Sequence, residues 1–290
     1  PRHQKSTGQK TAAIKTNAVS VNRKWLPYLV LAIMTVFVYS LSFSTEFIYN
    51  WDDAGYVSGN VHIKSLSFDS IQNIFSEIYY MSNYHPLTTL SYAVDWAIAG
   101  DNPAWYHVVN LLFHLLNTML VFVVIKRFFH VKSDWVPFFV AMIFAVHPMH
   151  VESVAWISER KDVMYTFFFL LALLKYHDYK EATTNKWKPY LLVILFFLMS
   201  LMSKSAAVVF PVALFAFDWY ERRKLNLMLV AEKIPMLALS LIFGIIALKS
   251  QKEAMQDLAP LLSLTERLQI VNHSFLTYIY KFFLPINLSG

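Results

Sequence analysis

Glu46-Phe-Ile-Tyr-Asn-Trp-Asp-Asp-Ala-Gly-Tyr56 follows closely on an uncharged apolar run at 25–43, and its reading decides what the rest of the chain is. A membrane span requires about 20 apolar residues, and that run is long enough. Acids are costly inside a bilayer and common just outside it. Asp52 and Asp53 therefore mark the mouth of a first membrane helix, with Gly55 letting the backbone turn. An acidic pair in that place has three readings: a catalytic base, a metal ligand or a solvated helix end.

Composition points the same way. Of 290 residues, 57% are hydrophobic and 15% charged, where soluble domains carry about 25% charged residues. So few charges cannot cover a soluble surface of this size, and lipid is the expected solvent. The 24 Phe and 16 Tyr suit lipid-facing helices and interfacial belts. The sequence has no Cys, which rules out disulfides and thiolate sites. The net charge of +6 comes with no nucleic-acid motif, so no nucleic-acid partner is expected. Residues 1–24 are polar and basic, and no small-residue cleavage site follows the first apolar run. They read as a cytoplasmic tail and not as a removable signal peptide.

Working outward, residues 46–103 are too polar to span and too long to be an idle link. Phe68, Ile71, Ile74 and Phe75 fall on one helical face of 67–75, the pattern of a helix lying in the interface. A second short helix is expected at 87–98, ended by Gly100-Asp101-Asn102-Pro103. Further spans are expected at 104–129, 135–147, 163–179, 189–202, 206–220 and 225–249. Residues 273–284 would start another, stopped by Pro285. The expected fold is thus an all-α polytopic membrane protein with about seven to eight transmembrane helices and two interfacial helices in the first outer loop. Most Lys and Arg fall on one side if the N-terminus is cytoplasmic.

That topology brings four stretches to the outer face: Asp52-Asp53, His85-Pro86, residues 147–162 and Ser203-Lys204. His147, His150 and Glu152 have three readings: metal ligands in an irregular loop, caps of a broken helix end, or contacts to a substrate headgroup. Arg160, Lys161 and Lys204 supply positive charge. Lys204 has no charged neighbour close in sequence, so it either snorkels to the interface or binds phosphate as a point charge. Carboxylates on one stretch and cations on others suit attack on a phosphate-linked donor. A carboxylate takes the proton of an acceptor hydroxyl, and cations stabilise the departing phosphate.

Several stretches carry a family resemblance. They are Asn83-Tyr-His-Pro-Leu-Thr88, Asn102-Pro-Ala-Trp-Tyr-His-Val-Val-Asn110 continuing to Asn117, His147-Pro-Met-His-Val-Glu-Ser-Val-Ala-Trp156, Glu159-Arg-Lys-Asp162 and Leu201-Met-Ser-Lys204. Together they resemble the membrane half of the TMTC-type proteins, sugar transferases of GT-C fold that usually carry C-terminal tetratricopeptide repeats. The resemblance covers the chain from about residue 25 to its end. It implies a GT-C-type catalytic domain over 25–290 and a base at Asp52 or Asp53, of which the nearby Gly55 slightly favours Asp53. It implies substrate-binding roles for His85, His147, His150, Glu152, Arg160, Asp162 and Lys204. His85 stands where the family carries Arg, and would meet a phosphate as a cation only if protonated. Ser205 stands where Glu is common.

The resemblance further implies a polyprenyl- or dolichyl-phosphate sugar as donor and a protein or glycan hydroxyl as acceptor, with inversion in one displacement. No separate cofactor is implied. A divalent metal is not favoured, since one phosphate held by cations does not require it. No 34-residue repeat is visible, and Asn287-Leu-Ser-Gly290 resembles a point midway through the family's membrane domain, so the chain reads as truncated. Two other classes stand against the transferase. A scaffold or lipid-binding membrane protein leaves the one-sided Asp, Lys and Arg set without a common purpose. A transporter would place its acids near the bilayer midplane.

Overall fold

The computed structural model describes residues 25–252, 263–286 and 288. The basic tail at 1–24 lies outside the described residues, as do 253–262 of the polar stretch after the seventh expected span. The helices, in order, are α1 (Leu26–Tyr39), α2 (Phe68–Ser76), α3 (Pro86–Ala99), α4 (Pro103–Phe128), α5 (Trp135–Val146), α6 (Val151–Ala155), α7 (Arg160–Glu181), α8 (Trp187–Ser203), α9 (Phe210–Tyr220), α10 (Leu227–Ala231), α11 (Ile234–Ser250) and α12 (Leu264–Phe283). Among the described residues there is no strand, as expected of an all-α membrane protein.

Local chemistry explains several of these boundaries. Pro sits in the first turn of α1, α3 and α4, where its missing N–H is not needed. Gly100 closes α3 with φ of +62°, a backbone that side-chain-bearing residues rarely adopt. Polar residues in the first apolar run serve their own backbone: Thr35 Oγ1 donates to the Leu31 carbonyl at 2.7 Å and Ser42 Oγ to Tyr39 at 2.7 Å. That is how a hydroxyl is satisfied where water is absent.

Leu26–Ser44, Pro103–Phe128 and Leu227–Ser250 are long and apolar enough to cross a membrane. Trp135–Val146 with Pro148–Ala155, bent by 52° at the break, makes a fourth if counted as one span, and two shorter apolar helices follow at Trp187–Ser203 and Ser205–Tyr220.

α7 packs along α8 on one side and α4 on the other, and α4 also meets α5 and α1. Phe128, Tyr176, Phe197, Phe210 and Leu214 fill the core between these helices. A second cluster of Phe47, Tyr56, Ile63, Ile74, Tyr92 and Tyr106 pins the first loop onto α3 and α4. α2 enters it through Ile74, while Phe68 remains 79% exposed.

The segment between α5 and α7 is irregular. α5 ends at Val146, and His147 is extended. α7 begins at Arg160, three residues before the expected span. A broken backbone leaves carbonyls that need donors, and side chains of neighbouring helices supply them. Asn110 Nδ2 donates to the carbonyls of Trp156 at 3.1 Å and Ile157 at 3.3 Å, and Tyr92 Oη to Ile157 at 2.8 Å. Asn117 Nδ2 reaches Val163 at 2.7 Å, and Thr88 Oγ1 reaches Ser203 at 3.0 Å.

Candidate functional site

The first loop, the start of α7 and the link from α8 to α9 meet at one place. Asp53 is 1% exposed. Its carboxylate accepts from the Ile48 N–H at 3.0 Å and the Ser158 N–H at 2.9 Å, tying the first loop to the segment before α7. Trp51 and Trp156, 5.2 Å apart between ring centres, close over the same junction. Asp52 turns the other way. It is half-exposed, and its Oδ2 lies 3.9 Å from Lys161 Nζ.

Lys161 and Lys204 form the cationic part. Lys161 Nζ is 2.7 Å from Glu159 Oε1 and sits over the Tyr56 ring at 5.1 Å. Lys204 pairs with Asp162 and lies 3.6 Å from Glu159 Oε2. Asp162 also accepts from Ser153 Oγ at 3.0 Å. Lys204 is therefore no lone snorkelling lysine: two carboxylates distant in sequence hold it, and its pKa is raised, with the attraction of Asp162 and Glu159 outweighing burial.

His85 is buried beside these lysines, and its Nδ1 finds no hydrogen-bond partner among the described residues. Burial, then the charges of Lys161 and Lys204, push the imidazole down to about 3. It is neutral at physiological pH, so it can offer a phosphate an N–H but no charge.

His85, Lys161 and Lys204 line one end of a groove of about 640 Å³. Its other wall is α11, through Leu241, Gly244, Ile245 and Leu248. The groove thus carries two lysines, both paired with carboxylates, beside a largely apolar wall. A separate cleft of about 300 Å³ opens beside Asp53 and is lined by Glu46, His107, Glu152 and Trp156. His107 is fixed by Thr45, Nε2 to Oγ1 at 3.0 Å. Glu152 also borders a third cleft, of about 650 Å³, against His273, Thr277 and Lys281 of α12.

Of the nine residues singled out in the sequence, Asp52, His85, Asp162 and Lys204 gather around the groove's two lysine positions. Asp53 and Glu152 share the separate cleft. Three stand elsewhere. Arg160 is fully buried and its guanidinium faces inward: it pairs with Asp95 and donates to Asn110 Oδ1 at 2.8 Å, the Tyr106 carbonyl at 3.1 Å and Ser91 Oγ at 3.3 Å. His150 packs against Phe144 and His114, with ring centres 4.6 and 5.6 Å away. His147 accepts from the Met149 N–H on Nδ1, so Nε2 carries the proton donated to the Phe282 carbonyl at 3.0 Å. Among the described residues no three His, Asp or Glu side chains come together as a metal site.

Glu159, which the sequence reading did not single out, bridges the two lysines, and Lys161 rather than Arg160 lines the groove. Both lie in the run Glu159-Arg-Lys-Asp162, which marks the stretch but not which residue faces outward.

No family model matches the chain, and no solved structure matches it. Curated relatives do. Protein O-mannosyl-transferase TMTC1 of Mus musculus is 41% identical over 95 residues, 32% of this chain and 10% of the relative. Protein O-mannosyl-transferase TMTC2 of Homo sapiens is 44% identical over 94 residues, 32% of this chain and 11% of the relative. Protein O-mannosyl-transferase F38B6.6 of Caenorhabditis elegans is 25% identical over 196 residues, 64% of this chain and 27% of the relative. The matched stretch thus spans about a tenth of the first two relatives and about a quarter of the third. These partial matches, beside the motifs gathered at one site, make the chain similar to the TMTC proteins over part of its length.

Proposed function

We propose that the chain is the membrane part of a glycosyltransferase that moves a sugar from a polyprenyl- or dolichyl-phosphate carrier to a protein hydroxyl. The observation that carries this reading is the groove with Lys161, Lys204 and His85 at one end and the apolar wall of α11 along it. A lipid phosphate has the same two-part chemistry, an anion on a long hydrocarbon. The names of the relatives suggest mannose as the sugar and protein as the acceptor.

In this reading the lipid phosphate lies on Lys161 and Lys204, with a neutral N–H from His85. The acceptor enters by the cleft beside Asp53, with Glu152 at its edge. The acceptor oxygen attacks the anomeric carbon as the bond to the phosphate oxygen breaks. The electron pair goes to the phosphate, the lysines offset the new charge, and a carboxylate takes the hydroxyl proton. A single displacement inverts the anomeric centre.

Asp52 suits the base and Asp53 the positioning role. Each Asp53 oxygen already accepts a backbone N–H, whereas Asp52 is half-exposed beside the lysine that meets the phosphate. Removing a general base typically costs 10²–10⁴-fold in rate. Asp52→Asn in the full-length protein should therefore lose transfer of radiolabelled sugar from its polyprenyl phosphate by at least about 10²-fold, with an unchanged melting temperature. Asp53→Asn should lower melting temperature as well as activity. Full transfer activity in Asp52→Asn would sink the base assignment, and inert wild-type protein with every lipid-phosphate sugar would sink the donor class.

A further inference from the structure

We propose that Glu159 holds the place of the donor phosphate on the two lysines, so that donor binding displaces the carboxylate and protonates it. This rests on the lipid-phosphate reading of the groove. The geometry is that of a bridging anion. One oxygen of Glu159 lies 2.7 Å from Lys161 and the other 3.6 Å from Lys204. A phosphate that met both lysines would use two oxygens in the same way. Among the described residues no other donor reaches the Glu159 carboxylate, which is nearly buried at 8% exposure.

Charge makes the displacement necessary. Lys161 and Lys204 face three carboxylates, Asp52, Glu159 and Asp162, so an incoming anion meets a surplus of negative charge. One carboxylate has to be neutralised. Asp162 is held on its second oxygen by Ser153. Asp52 contacts Lys161 only at 3.9 Å and stays exposed to solvent. Glu159 is the buried one of the three that loses its partners when the phosphate arrives.

The surroundings favour uptake of a proton from solvent. Burial raises the pKa of Glu159 above the usual carboxylate range, against the pull of Lys161 and Lys204. Losing those lysines and gaining a phosphate neighbour push it further the same way. The other titratable groups facing it do not take the proton. His85 starts far lower, held down by burial and by Lys161 and Lys204, which remain beside it. Tyr56 from the first loop and Tyr92 from α3 are already protonated, and burial raises both.

Linkage sets the sign. The group's pKa is higher in the complex, so binding takes up a proton between the two values, and affinity falls as pH rises through that window. The slope is at most about tenfold per pH unit for one proton.

The test uses full-length protein in detergent and a short-chain polyprenyl methyl phosphate, a diester that keeps one negative charge across neutral pH. Wild-type affinity should fall with rising pH. Glu159→Gln should flatten that dependence and bind more tightly at the alkaline end, while Glu159→Asp restores the slope. Calorimetry of the wild type in buffers of different ionisation enthalpy should show proton uptake, a readout that needs no substitution. Parallel pH profiles in wild type and Glu159→Gln, or binding without proton uptake at any pH, overturn the proposal and leave the donor reading standing. Failure of the lipid probe to bind wild type at any pH overturns both. Dimethyl phosphate binding as tightly as the lipid probe overturns the lipid reading alone.

Discussion

Arg160 and Lys161 are neighbours in sequence and have opposite surroundings. Successive residues on a helix are turned by about 100°, so one enters the core between α3 and α4 and the other faces the groove. The planar fork of Arg suits the inward position, where it serves Asp95, Asn110, Ser91 and a carbonyl at once. Arg160→Met would leave Asp95 as a buried carboxylate without its cation, a loss of about 3–5 kcal/mol. We expect a large fall in melting temperature in detergent. Lys161→Met leaves Glu159 with Lys204 still in reach, so it should lower melting less than Arg160→Met does and weaken lipid-phosphate binding. The reverse pattern would show that the two residues have been assigned to the wrong sides. The sequence singles out the Glu159–Asp162 run as site chemistry, but which of its residues faces the site depends on the phase of the first turn of α7. That phase follows from where the irregular segment after Pro148 hands over to the helix, which periodicity placed three residues late. The sequence does not mark Glu159 for a related reason. It lies just before that turn, and its partner Lys204 is distant in sequence.

At the scale of elements, α11 reads in the sequence as one more apolar span, and nothing in its hydropathy marks one face as a groove wall. The groove exists because Lys204 is extended between α8 and the turn at Ser205–Val209, which holds the α8–α9 corner against α11. Two polar helix junctions were legible from Pro and Gly signals: Pro86 opens α3 and Gly100 closes it. Their tertiary partners were not. Gly244 gives a clean test of the wall. A Cβ there meets nothing within 4 Å, and Gly244 lines the groove. Gly244→Leu fills part of the lipid path, and helix propensity favours Leu over Gly by about 0.8 kcal/mol. The expected result is a KM for the lipid-phosphate donor raised about tenfold, equivalent to about 1.4 kcal/mol, with kcat and melting temperature retained. Unchanged KM would remove α11 from the donor site.

Across the whole molecule, charge collects at the two ends of α7. Arg160, Lys161 and Asp162 open the helix at the groove. At its far end Tyr176 meets a buried cluster of Asp218, Glu232 and Lys233, with Lys233 Nζ 2.5 Å from Asp218 and 2.9 Å from Glu232. At 22 residues α7 is about 33 Å long, close to the roughly 30 Å of a bilayer's hydrocarbon core. Its charged ends keep it out of the strictly apolar spans, and the rise from Arg160 to Tyr176 sets the two polar clusters about 24 Å apart along the helix, most of that thickness. Lys126 and Arg127 end α4 beside the far cluster, Arg127 pairing with Asp178 at 2.9 Å. Positive charge favours the cytoplasmic side, so the Asp52 site should open on the opposite face. The absence of Cys makes this directly measurable, since any introduced thiol is the only one in the sequence. Tyr49 is 62% exposed beside the site, and Ser133 is exposed in the link between α4 and α5. In sealed vesicles with the cytoplasmic side inward, an impermeant maleimide should label Tyr49→Cys at once and Ser133→Cys only after detergent is added. Immediate labelling at Ser133→Cys with protection at Tyr49→Cys would invert the topology and place the proposed site on the cytoplasmic face.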